Sequence, residues 1–467
     1  MIVKRPMQAM AVTNRRRRAW KAPALALVAL LALAVSALPS PLAAAGGIAV
    51  VRDAETEALI HDYLTPLLKA AGVSRPDVFL VPDHSFNAFV AVGRKLFVNV
   101  GTIIDSETPN QLIGVLAHEV GHLAGDDPAY MMQVIADAKT AALIGSLIGV
   151  GAAAAGSISG SQTSAQAGVG ILSAVGPIVQ RSLLSQQRVL EAAADRAAIS
   201  YLARSGQSGA GMIQTLDRLA RDDLFGPAKP YLRSHPGARE RIAAIDQAAR
   251  ASNAFGRTDP PALQARHDLI RAKLIGFTYP PLEVNRRFQV GDNSLAAKYA
   301  RAISAYRSGK PGPAVALIDE LIAARPRYPY FHELKGQALL ESGHPQAAIE
   351  PLRNAVALAP RAGHLRVMLG QALVDSGNPG HANEAVDALI NGLRSEPDMI
   401  PGYRALARAY ELRGDRALAQ LTVAEGLIRS GNVKDAKAQA ARAQANLKPG
   451  SPAWLRADDI LSYKPPK

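Results

Sequence analysis

Apolar and polar positions near the start of the folded part of the chain predict one helix followed by a small sheet. Asp53 is a suitable N-cap for a helix over residues 54–70, whose apolar residues recur at helical spacing. Two stretches, Val78–Val81 and Lys95–Val100, alternate between apolar and polar residues as half-buried strands do. Gly93 lies between them, so we expect two strands joined by a turn.

Three helical segments follow the sheet. Thr108-Pro109-Asn110-Gln111 has the residue order of a capped helix start and predicts a helix from Pro109 to about Leu123. Residues 129–185 are apolar and rich in small residues, with a polar middle, and predict two helices joined by a mobile tip. Their longest apolar run, Ala141–Gly156, is short for a membrane span, which favours a surface or lid element over a transmembrane hairpin. Gln187–Arg204 predicts a further helix.

The C-terminal part of the chain repeats itself. Three features recur at a spacing of 34 residues: Gly309, Gly343 and Gly377; Pro326 and Pro360; and Gly336-Gln337-Ala338-Leu339 with Gly370-Gln371-Ala372-Leu373. This period and the placement of small residues resemble the tetratricopeptide repeat, a pair of helices that stacks into a solenoid. We therefore expect a repeat domain over residues 294–467, after a linker with a helix at residues 256–293.

The N-terminal segment, residues 1–45, has the pattern of an export signal. Basic residues precede the apolar run Ala24–Leu38, and the small residues Ala43–Ala45 follow it. We predict cleavage after Ala45 and a periplasmic location. The alternative is an uncleaved membrane anchor, for which the run is short.

Charge and cysteine content narrow the chemistry. Seven of the fourteen net positive charges lie in the signal, at Lys4, Arg5, Arg15, Arg16, Arg17, Arg18 and Lys21. The remaining chain is only mildly basic and has no comparable basic cluster, so we expect no nucleic-acid partner. Because the chain has no cysteine, disulfides and thiolate metal ligands are excluded, and a metal must be bound by His, Asp or Glu.

His118-Glu119-Val120-Gly121-His122 is an HExxH motif within a predicted helix. Residues four apart lie on the same helix face, so both imidazoles can bind one zinc ion. Glu119, rotated by about 100° around the helix, is then available as the general base of a metalloprotease.

A catalytic zinc site needs a third protein ligand and leaves one position open. Glu191-Ala192-Ala193-Ala194-Asp195 supplies a candidate, because its alanines allow close approach to the first helix. Glu191 would be the third ligand, and Asp195 would accept a hydrogen bond from a ligand imidazole. The alternative is an exposed acidic face paired with Arg188 and Arg196.

With these residues the chain resembles the zinc metalloprotease superfamily that contains HtpX and the CAAX prenyl proteases. Further matching stretches are Arg52-Asp53-Ala54-Glu55, Asn87-Ala88-Phe89, Val98-Asn99-Val100-Gly101, and Ser234-His235-Pro236 with Arg241-Ile242. The resemblance covers residues 50 to 250. With the export signal and the repeats, it is greatest to the periplasmic beta-barrel assembly-enhancing protease type.

The resemblance implies roles for residues outside the two motifs. Asn87, Ala88 and Phe89 would border the cleft and bind an extended substrate by strand addition, although a simple turn explains them equally well. His235 would either take the fourth zinc position or stabilise the oxyanion; alternatively, Pro236 only ends a helix beside a surface histidine. Arg241 would act on the oxyanion or position Glu191 and Asp195.

The sequence thus predicts a mainly α protein. It would contain an α-rich metalloprotease domain with a small β-sheet at residues 46–255, followed by an α-helical tetratricopeptide-repeat solenoid. We expect one zinc ion per chain and an endopeptidase that degrades misfolded or unassembled proteins. The resemblance implies outer-membrane β-barrel proteins as substrates, their assembly machinery as a partner of the repeats, and possible peripheral membrane contact. The alternative is a periplasmic chaperone or assembly scaffold with a latent zinc site.

Overall fold

The computed structural model describes residues 49–159, 162–222, 230–236 and 238–465, so the predicted export signal lies outside the described residues. Within them the protein is mainly α with one small sheet, which confirms the predicted fold class. The elements before the repeats are α1 Ala54–Ala71, β1 Asp77–Val81, β2 Ala88–Ala91, β3 Lys95–Asn99, α2 Val100–Asp105, α3 Pro109–Gly125, α4 Asp127–Ser159, α5 Gln162–Arg204, α6 Ala210–Asp222, α7 Pro230–Ser234, α8 Ala238–Arg250, α9 Pro261–Thr278 and α10 Pro281–Arg287.

The sheet has three strands in the order β1-β3-β2. β1 pairs with β3 in parallel and β2 pairs with β3 antiparallel. The expectation of two strands joined by a turn is therefore wrong, because parallel neighbours cannot be joined by a tight turn. The connection contains β2, and the turn lies between β2 and β3, where Gly93 and Arg94 have φ of 84° and 60°. In this three-stranded sheet β2 is an edge strand.

Helix α3 runs through the middle of the first domain. Its start is capped as the sequence predicts: Thr108 Oγ1 accepts a hydrogen bond from the Gln111 backbone N at 3.3 Å, and Pro109 occupies the first turn. All of its side chains from Pro109 to Leu123 are buried. The helix ends at Gly125, and its C-cap residue Asp126 has a left-handed φ of 53°. Burial on all sides makes α3 a rigid support for the side chains it carries.

Helices α4 and α5 form a long antiparallel hairpin. The sequence predicts a separate helix over Gln187–Arg204. In the structure these residues are instead the end of α5, which starts at Gln162. Residues 160 and 161, within the predicted mobile tip, lie outside the described residues. On α4 the side chains of Leu143, Ile144 and Leu147 are more than half exposed. No helix in the described ranges is long and apolar enough to cross a membrane.

The repeats form a solenoid of paired helices. Gly309, Gly343 and Gly377 each lie two residues after a helix end and have a positive φ, which explains why glycine recurs at these positions. The elements are α11 Leu295–Arg307, α12 Pro311–Ala324, α13 Pro329–Glu341, α14 Pro345–Leu358, α15 Gly363–Asp375, α16 Ala382–Ser395, α17 Ile400–Arg413, α18 Arg416–Arg429, α19 Val433–Gln444 and α20 Pro452–Ser462, with a short 3₁₀ helix at Pro379–His381.

The N-terminus of α1 contacts the repeats through a buried charged cluster. The Lys273 ammonium on α9 lies 2.5 Å from Asp53 Oδ2 and 3.1 Å from Glu55 Oε2. Tyr299 and Tyr328 of the first repeats donate hydrogen bonds to Glu55 at 2.8 and 2.5 Å. Burial lowers the pKa of Lys273, but Asp53 and the other nearby acidic groups raise it well above its ordinary value. Lys273 is therefore a buried cation at this interface.

Candidate metal centre

Four buried side chains converge inside the first domain. His118 and His122 lie one turn apart on α3, Glu191 lies on α5 and His235 follows α7. Their ligand atoms all lie within 4.8 Å of one another. The Nε2 atoms of His118 and His122 are 3.0 Å apart. Glu191 Oε2 and Oε1 lie 3.3 and 3.4 Å from these two nitrogens, respectively.

Each of the two α3 histidines has a carboxylate on its far side. His118 Nδ1 lies 2.9 Å from Asp195 Oδ1. His122 Nδ1 lies 2.7 Å from Asp127 Oδ2. An imidazole that donates its Nδ1 proton to a carboxylate keeps Nε2 as the unprotonated atom. The lone pairs of both Nε2 atoms are then available to a metal ion held between these imidazoles and the Glu191 carboxylate.

Arg241 on α8 holds both acidic residues of α5. Its Nε and Nη2 donate hydrogen bonds to Asp195 Oδ2 and Oδ1 at 2.6 and 2.7 Å. Its Nη1 lies 2.7 Å from Glu191 Oε2. The sequence left open whether Arg241 serves the oxyanion or the acidic pair, and these contacts favour the acidic pair.

The carboxylate of Glu119 lies beside a small cleft. Its side chain is fully buried, and neither of its oxygens has a hydrogen-bond partner within the part of the chain that the structure describes. The cleft has a volume of about 210 Å³, and its apolar lining includes Phe89, Val90, Met131 and Leu190. A buried carboxylate without a partner is costly unless it acts on something that enters the cleft.

The centre carries more negative than positive charge, and this bears on whether a metal fits. Its four carboxylates are those of Glu119, Asp127, Glu191 and Asp195, and the Arg241 guanidinium contacts the last two. Burial lowers the pKa of His122, but its hydrogen bonds to Asp127 and Glu191 outweigh burial and raise that pKa to about 10. The site therefore favours a cation, and a bound metal would replace the proton that His122 Nε2 otherwise holds. Two imidazole nitrogens and a carboxylate oxygen are a common catalytic zinc ligand set, so the residues present fit zinc.

His235 lies on the fourth side of the cluster. Its Nδ1 is 3.0 Å from Glu191 Oε1 and 3.3 Å from His118 Nε2. Its Nε2 is 3.2 Å from the carbonyl oxygen of Ala88 on β2. The sequence left a fourth-ligand role and an oxyanion role open, and the position of Nδ1 among the ligand atoms favours the fourth ligand.

Asn87, Ala88 and Phe89 lie along the edge of the cleft. Asn87 Oδ1 accepts a hydrogen bond from Ser234 Oγ at 3.2 Å, and Phe89 lines the cleft. The Asn87 carbonyl accepts from the Asn99 backbone N, on the β3 side, at 3.0 Å. Backbone groups of successive residues in an antiparallel strand point to opposite sides. Ala88 and Val90 therefore present their N–H and C=O groups on the outer edge of β2.

Comparison with known proteins identifies the first domain. Residues 54–249 match the model of Peptidase family M48. This part of the chain is similar to M48 peptidases. The match begins at α1 and ends within α8, so it includes the converging residues of α3, α5, α7 and α8.

Relatives of the M48 domain include named proteases. The Beta-barrel assembly-enhancing protease of Escherichia coli (strain K12) is 26% identical over 267 residues, which are 55% of this chain and 52% of that protein. The Putative beta-barrel assembly-enhancing protease of Vibrio cholerae is 27% identical over 227 residues, covering 46% of this chain and 44% of that protein. The chain thus spans about half the length of these relatives.

A solved structure titled Crystal structure of MamA is 20% identical, covers 32% of this chain and 86% of that chain, and has a TM-score of 0.29.

The sequence analysis did not identify Asp127 as a neighbour of the candidate metal centre. The available signal was its position five residues after His122, just beyond a glycine, where a sharp helix end can turn the chain back. The contact between His235 and the Ala88 carbonyl could not be predicted, because it joins residues 147 apart in the chain.

Proposed function

We propose that this protein is a zinc-dependent endopeptidase that binds one zinc ion per chain through His118, His122 and Glu191. The observation that carries the proposal is the convergence of both imidazole Nε2 atoms and the Glu191 carboxylate, beside the Glu119 carboxylate, whose oxygens have no hydrogen-bond partner among the described residues. The M48 match over the same residues supports a peptidase rather than a metal store.

The reaction is hydrolysis of a peptide bond by water. A bound zinc ion would supply a Lewis acid that polarises the scissile carbonyl and acidifies a water molecule. Glu119 takes a proton from the attacking water and gives it to the leaving amine. Its burial beside the cleft and its lack of a competing hydrogen bond leave it available for this transfer.

Three neighbouring side chains prepare the centre. Asp195 accepts the Nδ1 proton of His118 and thereby fixes which nitrogen faces the metal. Arg241 holds Asp195 and Glu191 in their orientations. His235 restrains the enzyme by taking the fourth position until a substrate displaces it.

Substrates bind as extended chains along β2. The outward N–H and C=O groups of Val90 and the N–H of Ala88 can pair with a substrate strand, beside the side chain of Phe89. The Ala88 carbonyl, which His235 Nε2 contacts, becomes available when the substrate displaces His235. A narrow cleft next to a strand edge favours unfolded over folded proteins. The relatives are named for β-barrel assembly, which supports β-barrel proteins as the physiological class. The family resemblance of the sequence implies that these are unassembled outer-membrane proteins, and the predicted export signal supports a periplasmic location.

The repeats would bind the outer-membrane assembly machinery. Solenoids of paired helices present long surfaces for protein partners. The exposed apolar residues Leu143, Ile144 and Leu147 of α4 support a peripheral contact with membrane or substrate. The second candidate function is a chaperone or assembly scaffold. The place of His235 Nδ1 at the fourth ligand position supports it, because an imidazole bound there would exclude the catalytic water and leave the zinc site latent.

The substrate class is tested with the purified chain lacking residues 1–45 and loaded with zinc. An outer-membrane β-barrel protein is offered unfolded and, separately, folded in detergent, and fragments are followed over time. We expect cleavage of the unfolded form alone, and none with Glu119→Gln. Protection of the unfolded form from aggregation without any fragments would instead establish the chaperone function.

The ligand assignment is tested by metal analysis of the same chain. We expect stoichiometric zinc in the wild type and in Glu119→Gln, because the base is not a ligand. Glu191→Ala should lose zinc, because it removes one of three ligands. A full zinc complement in Glu191→Ala would refute the assignment.

A further inference from the structure

The second ligand histidine has a carboxylate of its own, supplied by the hairpin. Asp127 Oδ2 lies 2.7 Å from His122 Nδ1, and the Asp127 side chain is only 13% exposed. This separation is that of a strong hydrogen bond with a charged acceptor. Asp195 cannot serve His122, because it is already engaged by His118 and Arg241.

The end of α3 is built so that Asp127 reaches back to His122. Asp126 takes a left-handed φ of 53°, and its backbone N–H donates to the His122 carbonyl. The chain therefore turns sharply and places the next residue beside the His122 ring. A Cβ on Gly125 would lie 2.3 Å from Asp127 Oδ1, so the glycine leaves room for this carboxylate.

We infer that Asp127 is a positioning residue, which holds the His122 imidazole with Nε2 turned towards the metal. The inference rests on the proposed zinc site. Asp127 and Asp195 then divide the task, with one carboxylate for each imidazole. Because Asp127 is the first residue of α4, it also ties the base of the hairpin to a metal ligand.

Alternatively, Asp127 is an ordinary acidic residue at a helix start and has no role at the metal centre. Acidic groups there interact favourably with the positive end of the helix dipole, whatever they touch. Asp126, the preceding residue, is exposed and also acidic, so it provides a matched control. If helix-end charge alone mattered, removing either charge would have a similar effect.

The experiment measures zinc affinity of the chain lacking residues 1–45 by competition with a chromogenic chelator. Asp127→Asn should weaken zinc binding by about 10–100-fold, the usual effect of losing the hydrogen-bond partner of a ligand histidine. Asp126→Asn should bind zinc as the wild type does. The visible spectrum of the Co²⁺-loaded protein should change in Asp127→Asn but not in Asp126→Asn, while the thermal midpoints of the two metal-free variants remain equal.

A second variant moves the carboxylate without removing it. Gly125→Ala should weaken zinc binding in the wild type, because the new methyl group displaces Asp127. In an Asp127→Ala background, Gly125→Ala should cause no further loss, which a double-mutant cycle measures.

Zinc affinity of Asp127→Asn within twofold of the wild type would overturn the inference, as would equal losses in the Asp127 and Asp126 variants. These results would leave the proposed zinc site intact. A wild-type chain that binds no zinc would instead refute the proposed function itself.

Discussion

Gly121 on α3 and Ala194 on α5 are so close that a Cβ on Gly121 would lie 2.8 Å from the Ala194 carbonyl oxygen. The contact lies one residue from His122 and three from Glu191 along the chain. It therefore sets the distance between the two helices where each contributes a metal ligand.

Gly121→Ala should separate these helices and weaken the metal centre. Inserting a methyl group into a close contact costs about 1–3 kcal/mol, and we expect zinc affinity to fall at least tenfold by the same chelator competition. Gly312→Ala is the control, because a Cβ at this helical position meets nothing within 4 Å. Unchanged zinc affinity in Gly121→Ala would show that the contact does not set the ligand distance.

Val90→Pro should impair substrate binding without affecting the sheet. Val90 presents its N–H on the outer edge of β2, so proline removes a donor that a substrate strand needs and leaves the pairing with β3 intact. We expect kcat/KM on an unfolded protein to fall about tenfold, with zinc content unchanged. Val90→Thr retains the N–H and should behave as the wild type; equal losses in both variants would argue against strand addition.

His235→Ala distinguishes restraint from catalysis by the sign of its effect. If His235 Nδ1 closes the fourth position, its removal should raise basal proteolysis and self-cleavage, and Glu119→Gln in the same background should abolish both. If His235 stabilises the oxyanion, its loss should lower turnover by roughly a hundredfold or more. Initial rates on one unfolded substrate decide between the two.

Lys273→Met should destabilise the protein strongly. Removing this buried cation leaves Asp53 and nearby acidic groups without compensation, which typically costs about 3–5 kcal/mol. The check is urea unfolding beside Lys298→Met, which breaks the more exposed pair with Glu320 and should cost about 1 kcal/mol or less. A Lys273→Met chain no less stable than Lys298→Met would show that the cluster does not stabilise the interface.

Much of the fold could be predicted from the sequence, because its signals are local. The cap at Thr108, the spacing of His118 and His122 and the 34-residue period each depend on residues close together in the chain or on their repetition. The convergence of the Glu191 carboxylate with the two imidazoles agrees with the ligand set that the HExxH and EAAAD motifs indicate.

The features that could not be predicted from the sequence depend on contacts between residues far apart in the chain or on the direction in which strands run. β2 was not predicted as a strand, because its four residues show no clear alternation and it is defined by pairing with β3. The continuity of α5 was missed because its start is rich in glycine and small polar residues, which weakly favour helix. The cluster around Lys273 joins Asp53 to residues of the repeats, and no local pattern indicates it.

The central claim is that Glu119 is the base of a zinc endopeptidase, and one comparison of rates tests it most directly. The wild type and Glu119→Gln, both lacking residues 1–45 and matched in measured zinc content, are given the same unfolded protein. We expect the wild type to produce fragments and the variant to lose at least a hundredfold in initial rate, since general base catalysis contributes on this scale. Equal rates at equal zinc content would contradict the assignment of Glu119 and the account of catalysis built on it.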